Sequence, residues 1–268
     1  MASILFLGTA GSSAVVTKGL RSSGGIIIQV EELQFHLDPG PGALIKAREY
    51  GVNLEHNTAI LVSHSHLNHC NDLNAVIEAM THGGIEQRGI ILGSKSVLQS
   101  TENSHPFLTR YHQNMVEKII PLNKNHKLGI ELVEINTLSA EHSDPTAVGF
   151  KFFFPKFTLS YTGDTKLTPQ LLEELSGTDV LILNVPYPGN SGKGMNLDTE
   201  SAAKIIYQVK PKLAVLTHFG LDMIRADPIN EAREIQNFTG VQTIAARDGL
   251  LISPQSYGHK SPVKGYSE

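Results

Sequence analysis

Three histidines lie within six residues of one another in the segment Ser63-His64-Ser65-His66-Leu67-Asn68-His69. They directly follow the apolar run 59–62, which is typical of a buried strand. Neutral imidazole is a common ligand of zinc and other divalent ions, and a strand that ends in closely spaced histidines can direct several ring nitrogens at one ion. The spacing therefore predicts a metal site at the end of this strand. The alternative is a solvated loop that is histidine-rich by chance.

Further potential ligands also come just after predicted strands. The ends of neighbouring strands meet at one rim of a sheet sandwich, where rigid strands fix the ligands and loops leave an ion open to substrate. Cys70 is interpreted as a buried packing residue rather than as a thiolate ligand. The further potential ligands are Asp38, His142, Asp164 and His218.

Composition narrows the class of protein. The chain has 268 residues, of which 40% are hydrophobic and 18% are charged, as in ordinary globular proteins. The formal net charge of −4 excludes a global basic field that would attract nucleic acid. A single cysteine excludes an intrachain disulfide and fits a reducing compartment. With no signal-peptide pattern and no run long enough to span a membrane, we expect a soluble cytoplasmic protein.

The pattern of elements predicts the fold class. Short strands separated by Gly and Ser come first, and helices alternate with strands later, which favours two sheets with helices on their outer faces. No linker divides the chain, so we expect one domain over residues 1–253 and a flexible tail over 254–268. Strands are predicted at 4–7, 26–30, 34–37, 59–62, 90–92, 118–122, 129–137, 148–154, 157–161, 180–183, 213–216 and 241–245. The longer helices are predicted at 43–50, 72–80, 168–177, 199–209 and 227–240.

The order of these motifs resembles the metallo-β-lactamase-fold hydrolases from residue 4 to residue 252. The segments 21–23, 144–149 and 216–219 are similar to the ribonuclease Z-like and phosphodiesterase branch. The resemblance implies an α/β fold, a four-layer αββα sandwich of two mixed β-sheets with helices on the outer faces. The motifs that carry it are Phe6-Leu7-Gly8-Thr9, Asp38-Pro39-Gly40, His64/His66/His69, His142, Thr162-Gly163-Asp164 and Thr217-His218.

The family pattern also implies the roles of the ligands. His64, His66 and His142 would hold a first metal, His69 and His218 a second, and Asp164 would bridge the two as a catalytic residue. One or two divalent ions are implied, zinc first, with manganese and iron as alternatives. Two ions about 3.5–4 Å apart would share a metal-bound hydroxide that attacks an ester. The implied protein is a metal-dependent hydrolase, foremost a phosphodiesterase, that acts on a small phosphodiester or nucleic-acid substrate as a homodimer away from membranes.

One position departs from the family pattern. The family usually has an acid immediately before the third histidine, as a metal ligand and proton carrier, whereas Asn68 occupies this place. An amide is a neutral, weaker ligand and cannot take up a proton at neutral pH. Asn68 is thus a candidate catalytic residue and ligand of a weakened second site, with an inert loop residue as the alternative. Natural variation and a deliberate Asp→Asn change both fit.

A second departure concerns ribonuclease Z itself. That enzyme carries a His-Glu pair after the strand that corresponds to 180–183, where this chain has Leu183-Asn184-Val185. A Gly/Pro-rich arm that grasps tRNA has no counterpart either. These differences argue against tRNA 3′ processing and favour a smaller phosphodiester.

Other interpretations stay open at this point. The same scaffold could hydrolyse a thioester or a lactone, or it could be a binding protein with a weakened metal site. The Gly-rich segment 186–194 lacks the P-loop spacing and is interpreted as a loop near the site. The remaining polar histidines are expected on the surface, with His82 as the best exception. They are His82, His105, His112 and His126.

Overall fold

Fourteen strands form two sheets of seven strands each in the computed structural model, which describes residues 2–100, 105–189, 191 and 194–258. The first sheet has the order β14-β1-β2-β3-β4-β5-β6, and the second has the order β13-β12-β11-β10-β9-β8-β7. The first sheet contains β1 (Ala2–Phe6), β2 (Ile26–Val30), β3 (Leu33–Leu37), β4 (Asn57–Val62), β5 (Ile90–Ser94), β6 (Lys118–Leu122) and β14 (Leu251–Ile252). The second contains β7 (Lys127–Ile130), β8 (Val133–Ser139), β9 (Val148–Phe153), β10 (Thr158–Tyr161), β11 (Val180–Asn184), β12 (Leu213–Thr217) and β13 (Thr243–Ala245).

Each sheet is antiparallel in one part and parallel in the other. Strands β14, β1, β2 and β3 pair antiparallel, and β3 to β6 pair parallel. The second sheet repeats this plan, with β7 to β10 antiparallel and β10 to β13 parallel. The central parallel strands are continuous apolar runs because both of their faces are buried. Every residue of β11 and β12 is buried, for example.

Aromatic side chains fill the space between the two sheets. The rings of Phe35 in the first sheet and Phe152 in the second lie 5.8 Å apart at their centroids. Phe154 stacks on Phe152 and on Phe157, so that one aromatic cluster spans the interface. This cluster belongs to a core that both sheets share. Burial of such large apolar surfaces is the main stabilising term that holds the sheets together.

Helices cover the outer face of each sheet and complete the predicted four-layer αββα sandwich, which is thereby confirmed. α2 and α4 pack on the first sheet, and α7, α8 and α10 pack on the second. The helices are α1 (Ser13–Thr17), α2 (Ala43–Glu49), α3 (Leu67–Cys70), α4 (Leu73–Met80), α5 (Lys95–Leu98), α6 (Arg110–Gln113), α7 (Pro169–Glu174), α8 (Thr199–Val209), α9 (Leu221–Ala226) and α10 (Pro228–Thr239), with 3₁₀ turns at Leu54–His56 and Pro254–Tyr257. None of the helices within the described residues has the length and apolar character needed to cross a bilayer.

Two predicted boundaries are wrong. The single strand predicted over 129–137 is a hairpin of β7 and β8, which reverses at Glu131 with a φ of 50°. The predicted tail starts too early, because Pro254–Tyr257 forms a 3₁₀ turn in which Pro254 is buried and Tyr257 packs against the core between the sheets. Proline suits the first position of such a turn. The rest of the predicted tail, residues 259–268, lies outside the described residues.

Candidate metal centre

Four of the predicted ligands form what we call the first donor group: His64, His66, His142 and Asp164. His64 and His66 follow β4 of the first sheet, whereas His142 and Asp164 follow β8 and β10 of the second. The Nδ1 atom of His66 lies 2.9 Å from Nε2 of His64 and 3.2 Å from Nε2 of His142. The Oδ2 atom of Asp164 lies 3.9 Å from Nε2 of both His64 and His142.

Asp164 also belongs to the second donor group, which contains His69, Asp164 and His218. The Nε2 atoms of His69 and His218 lie 2.9 Å apart. Oδ2 of Asp164 lies 3.4 Å from Nε2 of His69, and Oδ1 lies 3.4 Å from Nε2 of His218. The amide nitrogen of Asn68 is 2.8 Å from Nε2 of His218, so this side chain faces the second donor group. All seven predicted site residues therefore meet at one rim of the sandwich.

The donor set fits divalent ions. Tetrahedral zinc with bonds of about 2.05 Å to nitrogen places neighbouring ligand nitrogens about 3.3 Å apart. The nitrogen pairs in the two groups, at 2.9–3.2 Å, are close to this spacing. Imidazole and carboxylate are also the ligands that zinc, iron and manganese share.

Asp38 is predicted as a potential ligand but lies behind the ligands instead. Its Oδ2 atom is 2.8 Å from Nδ1 of His69 and also accepts hydrogen bonds from the hydroxyls of Ser63 and Tyr161. It stands outside both donor groups. A carboxylate on Nδ1 keeps the proton on that nitrogen and directs Nε2 toward the ion. Asp38 therefore orients His69.

A backbone carbonyl has the same role for His142. Nδ1 of His142 lies 2.9 Å from the carbonyl oxygen of Met195, in the segment between β11 and α8. Because this partner is a main-chain atom, no residue type at position 195 signals it in the sequence. The contact places Met195, which directly follows the predicted loop 186–194, at the edge of the centre. Asn190, Gly192 and Lys193 of that loop lie outside the described residues.

Asp144 fixes the loop that carries His66. It accepts hydrogen bonds from the backbone N–H of Ser65 and from the hydroxyls of Ser65, Ser96 and Thr146. Burial alone would raise the pKa of Asp144, but these donors, Ser96 foremost, lower it below its usual value. The carboxylate thus stays charged and joins the two histidine-bearing loops.

Close backbone approach requires glycine at Gly40. A Cβ atom there would lie 2.1 Å from the carbonyl oxygen of Asn68 and 2.3 Å from that of Ser23. The same Asn68 carbonyl accepts a hydrogen bond from the Ser23 hydroxyl. The Asp38-Pro39-Gly40 turn therefore positions the short helix α3, which carries Asn68 and His69.

Burial keeps several of the rings neutral. It lowers the pKa of His64 well below its usual range, and His69 lowers it further. Burial also lowers the pKa of His66, and it lowers that of His218 to about 4. Neutral rings offer a free lone pair, as metal binding requires.

His69 differs from these rings. Burial alone would lower its pKa, but the carboxylates of Asp164 and Asp38 raise the pKa to about 10. Burial alone would raise the pKa of Asp164, and the facing rings of His218 and His69 instead hold it well below its usual range. Without an ion, the centre therefore contains an imidazolium ion between two carboxylates.

Three other side chains around the centre escape prediction from the sequence: Ser63, Tyr161 and Asn184. The amide nitrogen of Asn184 donates to Oδ1 of Asp164 at 2.8 Å and to the Tyr161 hydroxyl at 3.1 Å. Asn184 ends β11, beside the end of β12 that precedes His218. Its place at the end of a buried strand is the signal that could have indicated it.

His82 and Cys70, which the sequence raises as possible site residues, lie outside both donor groups. His82 pairs with Glu55 at 2.8 Å and with Glu86, on the surface. Cys70 is buried, as predicted, and its thiol points at the carbonyl oxygens of Ser65 and His66. Burial raises the pKa of this thiol, which makes it a poor thiolate ligand.

The sandwich and the cluster at its rim define a metallo-β-lactamase-fold hydrolase. Within that class, the chain belongs to the family described as the β-lactamase superfamily domain, whose model matches residues 34–219. An uncharacterized protein of Methanocaldococcus jannaschii is 32% identical over 251 residues, which are 93% of this chain and 94% of the relative. A metal-dependent hydrolase of Carboxydothermus hydrogenoformans is 26% identical over 84% of this chain and 94% of its own length.

Three solved structures share the fold. The metallo-β-lactamase-fold protein YhfI of Bacillus subtilis has a TM-score of 0.78 at 18% identity, and a diphosphatase of the PhnP family has a TM-score of 0.70 at 17% identity. The short form of human tRNase Z has a TM-score of 0.67 at 15% identity. Each alignment covers 94% of this chain and 98% of the other. The family predicted from the motifs is confirmed.

Proposed function

We propose that this chain is a metal-dependent phosphodiesterase that acts on a small phosphodiester. The observation that carries the proposal is that both donor groups share Asp164. Its Oδ2 atom faces His64 and His142 of the first group and His69 of the second, and its Oδ1 atom faces His218. A carboxylate that bridges two imidazole-lined sites is typical of centres that hold two ions and clamp both the attacking and the leaving oxygen of a phosphoryl group.

The residues of this centre have distinct roles in the proposed function. The first donor group and the second would each hold one divalent ion, zinc foremost and manganese or iron as alternatives. A bound divalent ion polarises an ester oxygen and lowers the pKa of a water molecule. Asp38 and the carbonyl of Met195 keep His69 and His142 in the tautomer that leaves Nε2 free. Asn68 can donate or accept a hydrogen bond at His218 but cannot carry a proton.

Two observations support a small phosphodiester as the substrate. A diphosphatase and a tRNase Z are among the proteins with this fold, and both names describe cleavage of phosphate esters or anhydrides. The segment in which ribonuclease Z has its His-Glu pair is Leu183-Asn184-Val185 in this chain, and all three residues are buried. Asn184 is engaged with Asp164 and Tyr161. None of the three residues Leu183, Asn184 and Val185 can donate a proton to a leaving group.

The experiment is an assay of protein that has been stripped of metal and reloaded with zinc, manganese or iron. The substrates are bis-p-nitrophenyl phosphate, cyclic nucleotides, short oligonucleotides, a lactone and a thioester. We expect turnover of the diesters, dependent on added metal. Asp164→Asn should abolish it, because the shared ligand loses its charge.

Asp179→Asn is the matched control, since Asp179 is a buried carboxylate that pairs with Lys212 and lies outside both donor groups. It should retain the diesterase activity. If only the thioester or the lactone is turned over, the proposed function would be that of a carbon-ester hydrolase and not of a phosphodiesterase. Failure of every substrate with every metal, even after Asn68→Asp, together with less than one bound ion per chain, would favour a binding protein.

A further inference from the structure

Two buried polar atoms beside the second donor group have no hydrogen-bond partner among the described residues: Oδ1 of Asn184 and Nδ1 of His218. Asn184 is 1% exposed and His218 is 7% exposed. A buried polar atom without a partner has lost its hydrogen bonds to water without replacement, so such atoms call for a ligand. Both residues line the same cavity of about 30 Å³, whose wall comes from both sheets and also includes Asp38, Asn68 and Tyr161.

The two atoms are a donor and an acceptor. Nε2 of His218 lies 2.8 Å from the amide nitrogen of Asn68, which can only donate a hydrogen bond. Nε2 of His218 therefore accepts, and its single proton sits on Nδ1. A metal on Nε2 would require the same tautomer. In both states, Nδ1–H of His218 is a donor that needs an acceptor.

The amide of Asn184 has a fixed orientation for a similar reason. Its nitrogen donates to Oδ1 of Asp164, which is a carboxylate and can only accept. The amide oxygen is therefore the atom left without a partner, and it is an acceptor. Asn184 pairs with Thr217 across the parallel strands β11 and β12, so it lies beside the residue that precedes His218.

We propose that the cavity binds a water molecule which accepts from Nδ1–H of His218 and donates to Oδ1 of Asn184, and that Asn184 is a positioning residue for the second donor group. A cavity holds a water when it offers roughly 10–15 Å³ and two or more polar partners. This cavity has about 30 Å³, and the two residues with unpartnered atoms both line it. Asn184 then holds Asp164 directly and His218 through the water. The proposal rests on the proposed metal centre and is independent of the substrate.

The first test is a crystal structure of the unmodified protein at a resolution that shows ordered solvent. We expect one solvent molecule at hydrogen-bond distance from both Oδ1 of Asn184 and Nδ1 of His218. A cavity without such a molecule would overturn the proposal. This test does not require any variant to fold.

The second test is a calorimetric titration of the Asn184→Leu variant with zinc. Leucine is similar in size to asparagine but has no polar side-chain atom. We expect the second equivalent to bind 10–100-fold more weakly than in the unmodified protein, and the first equivalent to keep most of its affinity. Ser160→Ala is the matched control, because it removes a buried hydrogen bond to Thr178 in the same sheet. Unchanged affinity for the second ion in Asn184→Leu would overturn the positioning role. Neither test measures hydrolysis, so a negative phosphodiesterase assay would not affect the conclusion about Asn184.

Discussion

Nδ1 of His142 lies 2.9 Å from the carbonyl oxygen of Met195, which joins a predicted metal ligand directly to the segment between β11 and α8. A metal on Nε2 of His142 would hold the proton on Nδ1 and so strengthen this hydrogen bond. The position of the segment is therefore linked to the state of the metal centre.

Removal of the metal should loosen residues 194–198. We expect chelation to raise the rate of amide hydrogen exchange in a peptide that covers these residues by at least about twofold, since a metal then no longer anchors the ring of His142 at Nε2. The peptide of the β7–β8 hairpin, residues 127–137, is the internal control because its turn lies at the opposite end of the sandwich. Equal protection of 194–198 with and without metal would contradict the link.

Asn68→Asp should strengthen the second metal site. A carboxylate at this position would face His218 with a negative charge, where the amide nitrogen now lies 2.8 Å from Nε2. We expect the second zinc equivalent to bind at least about tenfold more tightly, which corresponds to about 1.4 kcal/mol. Competition with a metallochromic chelator measures the change.

Asn71→Asp provides the control for Asn68→Asp. It adds the same charge at the end of helix α3, where the side chain of Asn71 is exposed and contacts Asp72. The affinities for the first and the second zinc equivalent should stay within about twofold of those of the unmodified protein. A similar gain in the two variants would show that the effect is long-range charge and not a ligand.

Zinc binding should release a proton from His69. The pKa of this residue is about 10 without metal, so the ring must lose a proton before Nε2 can bind an ion. The apparent affinity for the second equivalent should rise about tenfold for each pH unit between pH 6 and 9. Calorimetry in buffers of different ionisation enthalpy should give close to one proton released with that equivalent.

The same group affects the stability of the metal-free fold. The folded pKa of His69, about 10, lies above the ordinary unfolded value of about 6.5. Its pairing with the carboxylates therefore contributes full stability below pH 6.5, and this contribution is lost as the pH rises through 10. We therefore expect the midpoint of denaturant unfolding of the metal-free protein to fall between pH 7 and pH 10. A midpoint that rises over this range would contradict the assignment.

Asp38→Asn should weaken metal binding although Asp38 contacts no predicted metal. The amide is a weaker acceptor for Nδ1–H of His69 and for the hydroxyls of Ser63 and Tyr161. We expect a 10–100-fold loss in affinity for the second equivalent by titration calorimetry. Asp72→Asn is the control, because Asp72 accepts from the backbone of Gly42 and not from a histidine.

Loss of one core ring should destabilise the sandwich without touching the site. Phe152→Ala removes a fully buried ring that contacts both Phe35 and Phe154, at a cost of about 3–5 kcal/mol in the free energy of unfolding. Phe238→Ala, whose ring is 68% exposed, should change it by about 0.5 kcal/mol. Denaturant unfolding of metal-free protein measures both. Equal effects would contradict the shared inter-sheet core.

Much of the centre could be predicted because its ligands follow strands that are recognisable as apolar runs. Ala59 to Val62 and Leu213 to Leu216 are such runs, and each ends just before a histidine. The helix boundaries at Thr168 and Gly240 were equally readable, since Thr168 caps α7 by accepting from the N–H of Leu171 and Gly240 adopts the left-handed conformation that ends α10.

The missed features have physical reasons of their own. Apolar residues recur without a Gly or Asn turn signal through Ile130, Leu132 and Val133, so the reversal at Glu131 between β7 and β8 was not recognised from the sequence. Strand β14 is only two residues long, and it pairs with β1 through Ile4–Ile252 and Leu5–Leu251, at opposite ends of the chain. Asp38 follows a strand as a ligand would, and only its distances to His69 and Tyr161 show that it lies behind the ring.

The origin of the ligands has a consequence for assembly of the chain. Each donor group takes at least one histidine from the first sheet, and its aspartate and another histidine from the second, so one bound ion would cross-link segments far apart in sequence. Neither half of the molecule, produced alone, would keep a complete coordination sphere. Two fragments divided between β6 and β7 should regain tight zinc uptake only when they are mixed, and zinc should promote their association.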